Sequence, residues 1–207
     1  MENFGVAIAL CLLVIGALIF YKCKKATHES KNDNQLFWDR ENRANSTRKQ
    51  DISTLDYITI PLDRLPLSPN EDEEVTEYQQ TIKDLSTKQI LNLSGKTNTD
   101  LKLEYGVANL TILSEYDNNY TTLINTLARW GARLIKLEQI MDAITVLEYG
   151  IEVNTDISRN FYMLAEHYVS TNQPDKIDAL LQKAEGISSI MKPSIIKKLT
   201  EYRNSCN

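Results

Sequence analysis

Residues 124–157 read INTLARWGARLIKLEQIMDAITVLEYGIEVNTDI, and residues 158–191 read SRNFYMLAEHYVSTNQPDKIDALLQKAEGISSIM. Laid over each other at a shift of 34, their chemistry recurs. Leu127 meets Phe161, Gly131 meets Ala165, and Leu134 meets Tyr168. Further on, Ala143 meets Ile177, Leu147 meets Leu181, and Gly150 meets Ala184. Large apolar side chains alternate with minimal ones at helical spacing, so each stretch reads as two helices crossing closely. At the crossing points a larger side chain would hold the helices apart.

Outward from this pair, the spacing predicts an all-α domain over 68–207. Helices are expected at 69–86, 98–116, 119–137, 139–153, 158–171, 174–187 and 193–204. Breaks are expected at Ser94-Gly95, Asp117-Asn118-Asn119, Asn154-Thr155-Asp156 and Asn172-Gln173-Pro174, all sequences with turn chemistry. Ser68-Pro69-Asn70-Glu71 reads as a helix start, with Ser68 as cap, Pro69 in the first position and Glu71 closing a capping box. The acidic run from Glu71 to Glu74 then suits the helix dipole. Two helix pairs are too few to stand alone, so earlier helices must cover one open face and the last helix the other. Leu101, Tyr105, Leu110, Leu113 and Tyr116 are expected in that covering layer.

The two stretches resemble tetratricopeptide repeat units, with departures at Ile177, usually a small site, and Thr155, often Pro. The C-terminal half is also similar to uncharacterised anchored tetratricopeptide proteins of Gram-positive anaerobic bacteria, a likeness that implies no known activity. What the family implies is a superhelical stack whose first helices line a groove for a protein partner. By offset, that groove would show Asn125, Ala128, Ala132, Ile135 and Lys136 from one unit, and Arg159, Tyr162, Glu166 and Val169 from the next. Family members that grip a terminal carboxylate have Lys and Asn where this chain has Ala128 and Ala132. That clamp is not expected here; an extended or helical peptide is.

Upstream of the domain, residues 4–21 read FGVAIALCLLVIGALIFY, eighteen residues without charge or Pro. As a helix the run would span about 27 Å, enough for a bilayer core. Residues 1–3 would form a short extracytoplasmic end. Lys22, Lys24 and Lys25 follow while no Lys or Arg precedes, so the remainder is expected on the cytoplasmic side of the cell membrane. An exported protein with a cleaved signal is the rival reading, though the run lacks a basic leader and an Ala-x-Ala site. Gly5 and Ala9 form a small-xxx-small pair that can support weak self-association of two anchors, but so short a motif recurs by chance and a plain lipid-facing helix is the favoured reading. Cys23 can accept a palmitoyl group in a host that has the enzyme.

Residues 22–54 read as a basic, mostly disordered tether, polar except for Leu36, Phe37 and Trp38. That trio suits either the lipid headgroup region or a short docking element. Residues 55–67, with Pro61 and Pro66, read as an extended strap that docks on this chain's own helices, where it or a neighbouring helix could fill the groove, in preference to a ligand-type sequence for another protein. Eight basic and four acidic side chains give residues 22–50 a charge of +4, which with Glu2 at −1 leaves −8 on residues 51–207. The whole chain at −5 is not a nucleic-acid binder by electrostatics. The three cysteines have no metal-ligand or disulfide spacing. Phosphate loops, nucleophile elbows and H-E-x-x-H are missing, and His28 and His167 stand apart. No cofactor, metal or catalytic residue is therefore expected, and an enzyme is the weakest reading.

Overall fold

The computed structural model describes residues 20–22, 24 and 33–206. In chain order its helices are α1 (33–46), α2 (Glu73–Leu85), α3 (Asn98–Tyr105), α4 (Leu110–Lys136), α5 (Ile140–Glu152), α6 (Ser158–Ser170), α7 (Pro174–Gly186) and α8 (Lys192–Asn204). No strand occurs among the described residues, and the chain is all-α as expected. The expected anchor at 4–21 lies outside the described residues but for Phe20 and Tyr21, and Cys23 lies outside as well. No helix of the described residues is long and apolar enough to cross a membrane.

The chain forms two compact units. One holds the described residues up to Gln50 and Asn98–Ala108; the other holds Asp51–Thr97 and Asn109 onward. In the first unit, 33–46 is helix where the sequence predicts tether. Its apolar content is indeed small, with Ala44 buried. The ordering comes instead from polar pairs about sixty residues away in sequence. Glu41 accepts from Thr99 and from Lys102 Nζ (3.0 Å), and Arg40 pairs with Asp100. The Thr99 hydrogen bond, then the Lys102 ammonium, hold the Glu41 carboxyl below its usual range. Such pairings leave no periodic trace in the sequence. The Gln50 N–H donates to Tyr105 O at 3.0 Å, just before Gly106 turns the chain at φ +85°.

In the second unit, α2 starts at Glu73, capped by Asp72, whose side chain accepts from Val75 N–H at 3.1 Å. The expected start at Ser68 and Pro69 is displaced because Ser68 has another task. Its carbonyl and that of Pro66 each accept from buried Gln79 Nε2 at 2.9 Å, which holds this stretch extended. Asp72 also receives Arg133 of α4 through Nη2 at 2.6 Å and Nε at 3.1 Å. One carboxylate thus caps α2 and ties it to α4.

The expected break at Asp117-Asn118-Asn119 does not occur, since α4 runs unbroken through it for 27 residues. Asn and Asp weaken a helix by only a few tenths of a kcal/mol each, and here they serve the preceding connection. Asp117 accepts from Leu93 N–H at 3.1 Å, and Asn119 Nδ2 donates to Gln89 O at 2.9 Å. The helix expected at 98–116 is divided instead into α3, a 3-10 turn at Val107–Asn109 and the start of α4. Of the expected covering residues, Leu113 is buried and Leu110 and Tyr116 partly so, whereas Leu101 and Tyr105 belong to the first unit.

The period of 34 governs the rest. Helix α7 begins and ends 34 positions after α5, and α8 does so after α6. The turns repeat too. Glu138 (φ +60°) and Asn172 (φ +51°) each follow a first helix. Gln139 N–H donates to Leu134 O (2.9 Å) as Gln173 N–H does to Tyr168 O (2.8 Å). Glu138 and Asn172 N–H donate to Ile135 and Val169 O. This is a Schellman closure, which places a left-handed residue just after the helix. Asn tolerates that conformation; Glu is strained in it. Glu138→Gly is expected to raise stability by roughly 0.5–1 kcal/mol, with Asn172→Gly near neutral, as thermal melts will read.

Of the twelve positions matched across the two stretches, all but half-buried Leu181 are buried. A methyl group on Gly131 would lie 2.6 Å from Leu147 Cγ and Cδ2, and one on Gly150 would lie 2.8 Å from Asn160 Oδ1. Minimal side chains therefore stand where α4 meets α5 and α5 meets α6. One core cluster joins α2, α4 and α5 with Ile60 and Leu65 of the strap, and another joins α5 to α8. The strap packs beside Tyr149 and Val153, and Arg64 reaches Glu152 at 2.7 Å.

Candidate protein-binding groove

The nine groove candidates come from α4 and α6, and the structure places them unequally. Ala128 and Ala132 are closed into the core at 5% and 7% exposure. Ile135 packs against both core clusters, and Tyr162 and Val169 are partly buried on the second. Asn125, Lys136, Arg159 and Glu166 are exposed. Helix periodicity placed them on one face, and the helices then divide that face between neighbours.

At the N-terminal side, Asn125 opens into a crevice between α2 and α4 of about 490 Å³. It is lined by Glu77, Tyr78 and Thr81 of α2 and by Thr121, Thr122, Thr126 and Arg129 of α4. At the C-terminal side, α8 packs along α6, and Tyr202 donates to Glu166 at 2.7 Å. Partial burial and this bond to a carboxylate push the Tyr202 phenol up to about 12. Between these two flanks Arg159 and Lys136 are exposed, and Tyr162 is half-buried against the second core cluster. The strap contacts named above are made on α5 and α2.

Sequence reasoning missed Tyr202, although a second step of 34 leads from Tyr168 to it. The same step leads from Phe161 to Ile195, which is fully buried. The signal was masked at Leu199, a large residue where the earlier units have Gly131 and Ala165.

A second polar constellation pins α5, α6 and α7 together. Glu148 accepts from Tyr168 Oη and from Lys176 Nζ, both at 2.7 Å, and the ammonium stands 5.2 Å from the Tyr168 ring centre. Burial opposes ionisation of Glu148, but the Lys176 and Tyr168 hydrogen bonds outweigh it and hold the carboxyl below its usual range. Burial, with the same carboxylate as acceptor, drives the Tyr168 phenol strongly upward. A carboxylate favoured in its ionised form adds stability above the ordinary value near 4.5 and loses it as pH falls through the lowered value. Urea midpoints of wild type and Glu148→Gln should therefore differ at neutral pH and converge on acidification.

A larger cavity of about 540 Å³ lies where the strap residues Asp56–Ile58, the loop carrying Asn154 and Asp156, and the turn Gly186–Ser188 approach one another. Beside it, the buried Tyr120 hydroxyl donates to Asn154 O at 2.9 Å. Among the described residues no group of His, Cys, Asp and Glu is arranged to hold a metal ion. His167 meets Tyr168 edge-on, with ring centres 5.8 Å apart. No family model, curated protein or solved structure matches the chain.

Proposed function

We propose that this chain is a single-pass membrane-anchored adaptor that binds a protein partner with a tetratricopeptide-like stack and catalyses no reaction. Residues 4–21 serve as the anchor, and the basic collar after them keeps the acidic helical unit on the cytoplasmic side. Tethering raises the local concentration of the binding surface near a membrane-proximal partner. The observation that carries the tetratricopeptide reading is the recurrence at 34 of helix bounds and turn closures, with Gly131 and Ala165 buried at matched positions.

The partner surface is the α6 face at Arg159 and Tyr162, flanked by Asn125 and Lys136. A peptide laid there would meet a cation and an aromatic ring, the residue types that anchor most interfaces. Ala128 and Ala132 are closed into the core beneath it, and the partly buried Ile135 and Val169 lend apolar edges. Glu166, already held by Tyr202, closes the far end.

Full-length chain in detergent, with a photo-crosslinker at 159 or 162, is expected to capture one specific protein. Arg159→Glu with Tyr162→Ala should reduce recovery of that protein by at least about tenfold, since two anchor residues typically carry several kcal/mol, while circular dichroism stays unchanged. Equal recovery by both chains sinks the groove assignment.

A further inference from the structure

We infer that Leu36, Phe37 and Trp38 form a second membrane contact, seated in the headgroup layer of an anionic bilayer; this rests on the anchor reading above. The trio lies near the N-terminal end of α1 and is 60%, 53% and 58% exposed. Phe37 and Trp38 meet edge-on, with ring centres 5.4 Å apart. The other end of α1 is fixed within its unit by buried Ala44 and by the Glu41 and Arg40 pairs. A helix held at one end therefore presents three consecutive large apolar groups at the other.

Geometry selects the occupant. Successive helix residues step about 100° around the axis, so three in a row spread over roughly 200°. A protein groove covers one face of a helix and would leave at least one of the three in water. A planar layer entered by the end of the helix receives all three, and its headgroup region favours Trp.

Reach and charge agree. Eleven steps separate Lys25 from Leu36, at most about 40 Å of chain, so the trio cannot stray far from the surface that the anchor enters. Lys22, Lys24 and Lys25 precede it and Arg43 follows, within a segment of net charge +4 that draws it to anionic lipid. On α1 itself Asp33, Asp39 and Glu41 oppose Arg40 and Arg43, with Glu41 and Arg40 taken up by Lys102 and Asp100, so the net basic charge belongs to the residues before and after the helix in sequence.

The chain has two tryptophans, and Trp130 is fully buried, so the difference between wild type and Trp38→Phe isolates the Trp38 emission. The full chain is reconstituted in phosphatidylcholine–phosphatidylglycerol vesicles carrying a nitroxide near the top of the acyl chain. Nitroxide is expected to quench Trp38 at least twofold, and the vesicles to shield it from aqueous iodide. Free access to iodide with no nitroxide quenching overturns the inference. So does iodide shielding without nitroxide quenching, which would mean that protein covers the trio. Alkaline carbonate extraction is run on the same vesicles. A chain washed off overturns the anchor itself, whereas a retained chain with unquenched Trp38 overturns only this second contact.

Discussion

Gly131→Leu is expected to lower the unfolding free energy by about 3 kcal/mol or more, the upper range for overpacking a closed core. Even a methyl group at 131 would sit 2.6 Å from Leu147 Cγ and Cδ2, and Leu147 is itself fully buried and has little room to retreat. Gly131→Ala should be milder. Helix propensity returns about 1 kcal/mol against an overpacking cost of roughly 1–3 kcal/mol. Leu147→Ala alone should cost about 2–5 kcal/mol, mostly through the cavity it leaves. Combining the two alanines partly fills that cavity, so their effects should fall short of additive by about 1–3 kcal/mol in urea titrations. Gly186, with open space around its Cα, is the control, and Gly186→Ala should leave stability almost unchanged. Strict additivity at 131 and 147 would mean that α4 and α5 do not touch there, and the close-packed pair would be lost.

The other large effect is expected at Gly106, where the obstruction is backbone. A Cβ at this position would overlap the Arg48 carbonyl and approach Lys49 Cα to 2.8 Å, and φ is +85°. Backbone cannot rotate aside as a leucine can, and a left-handed φ adds about 1–2 kcal/mol for a residue with a side chain. Gly106→Ala should therefore break the Gln50–Tyr105 hydrogen bond and loosen the first unit. Amide exchange across 33–50 and 98–105 is expected to accelerate at least tenfold, with α5–α7 serving as the internal reference. Unchanged exchange in α1 and α3 would refute the role given to Gly106.

The contrast between these glycines shows what was legible in the sequence. Gly131 belongs to a periodic pattern, and its meaning followed from the residues at matching positions. Gly106 has no such context, because the chain it accommodates lies almost sixty residues earlier. The same division separates Asn154 and Asn172, whose turns were read correctly, from Asp117 and Asn119. Those two look like turn residues yet sit inside α4, hydrogen-bonded to the 89–93 segment. The start of α2 moved from Ser68 to Asp72 for a related reason, since the better cap is the one that also receives Arg133. Arg159 and Glu166 could be placed on one face of α6 from offsets alone. That Glu166 is bonded by Tyr202 could not, because that contact forms between helices.

By itself the sequence determined the all-α class, the helix pairs of 34 residues, their turns, and which small residues stand at the crossings. These depend on short-range periodicity, where i, i+3 and i+4 share a face and neighbouring residues set the turn. Tertiary structure alone decided that 33–46 is helix, that α4 is continuous, that the strap lies by α5, and that Ala128 and Ala132 are closed into the core. Each of those outcomes depends on hydrogen bonds, ion pairs or packing between residues far apart in the chain, whose partners become available only once the chain has folded back on itself.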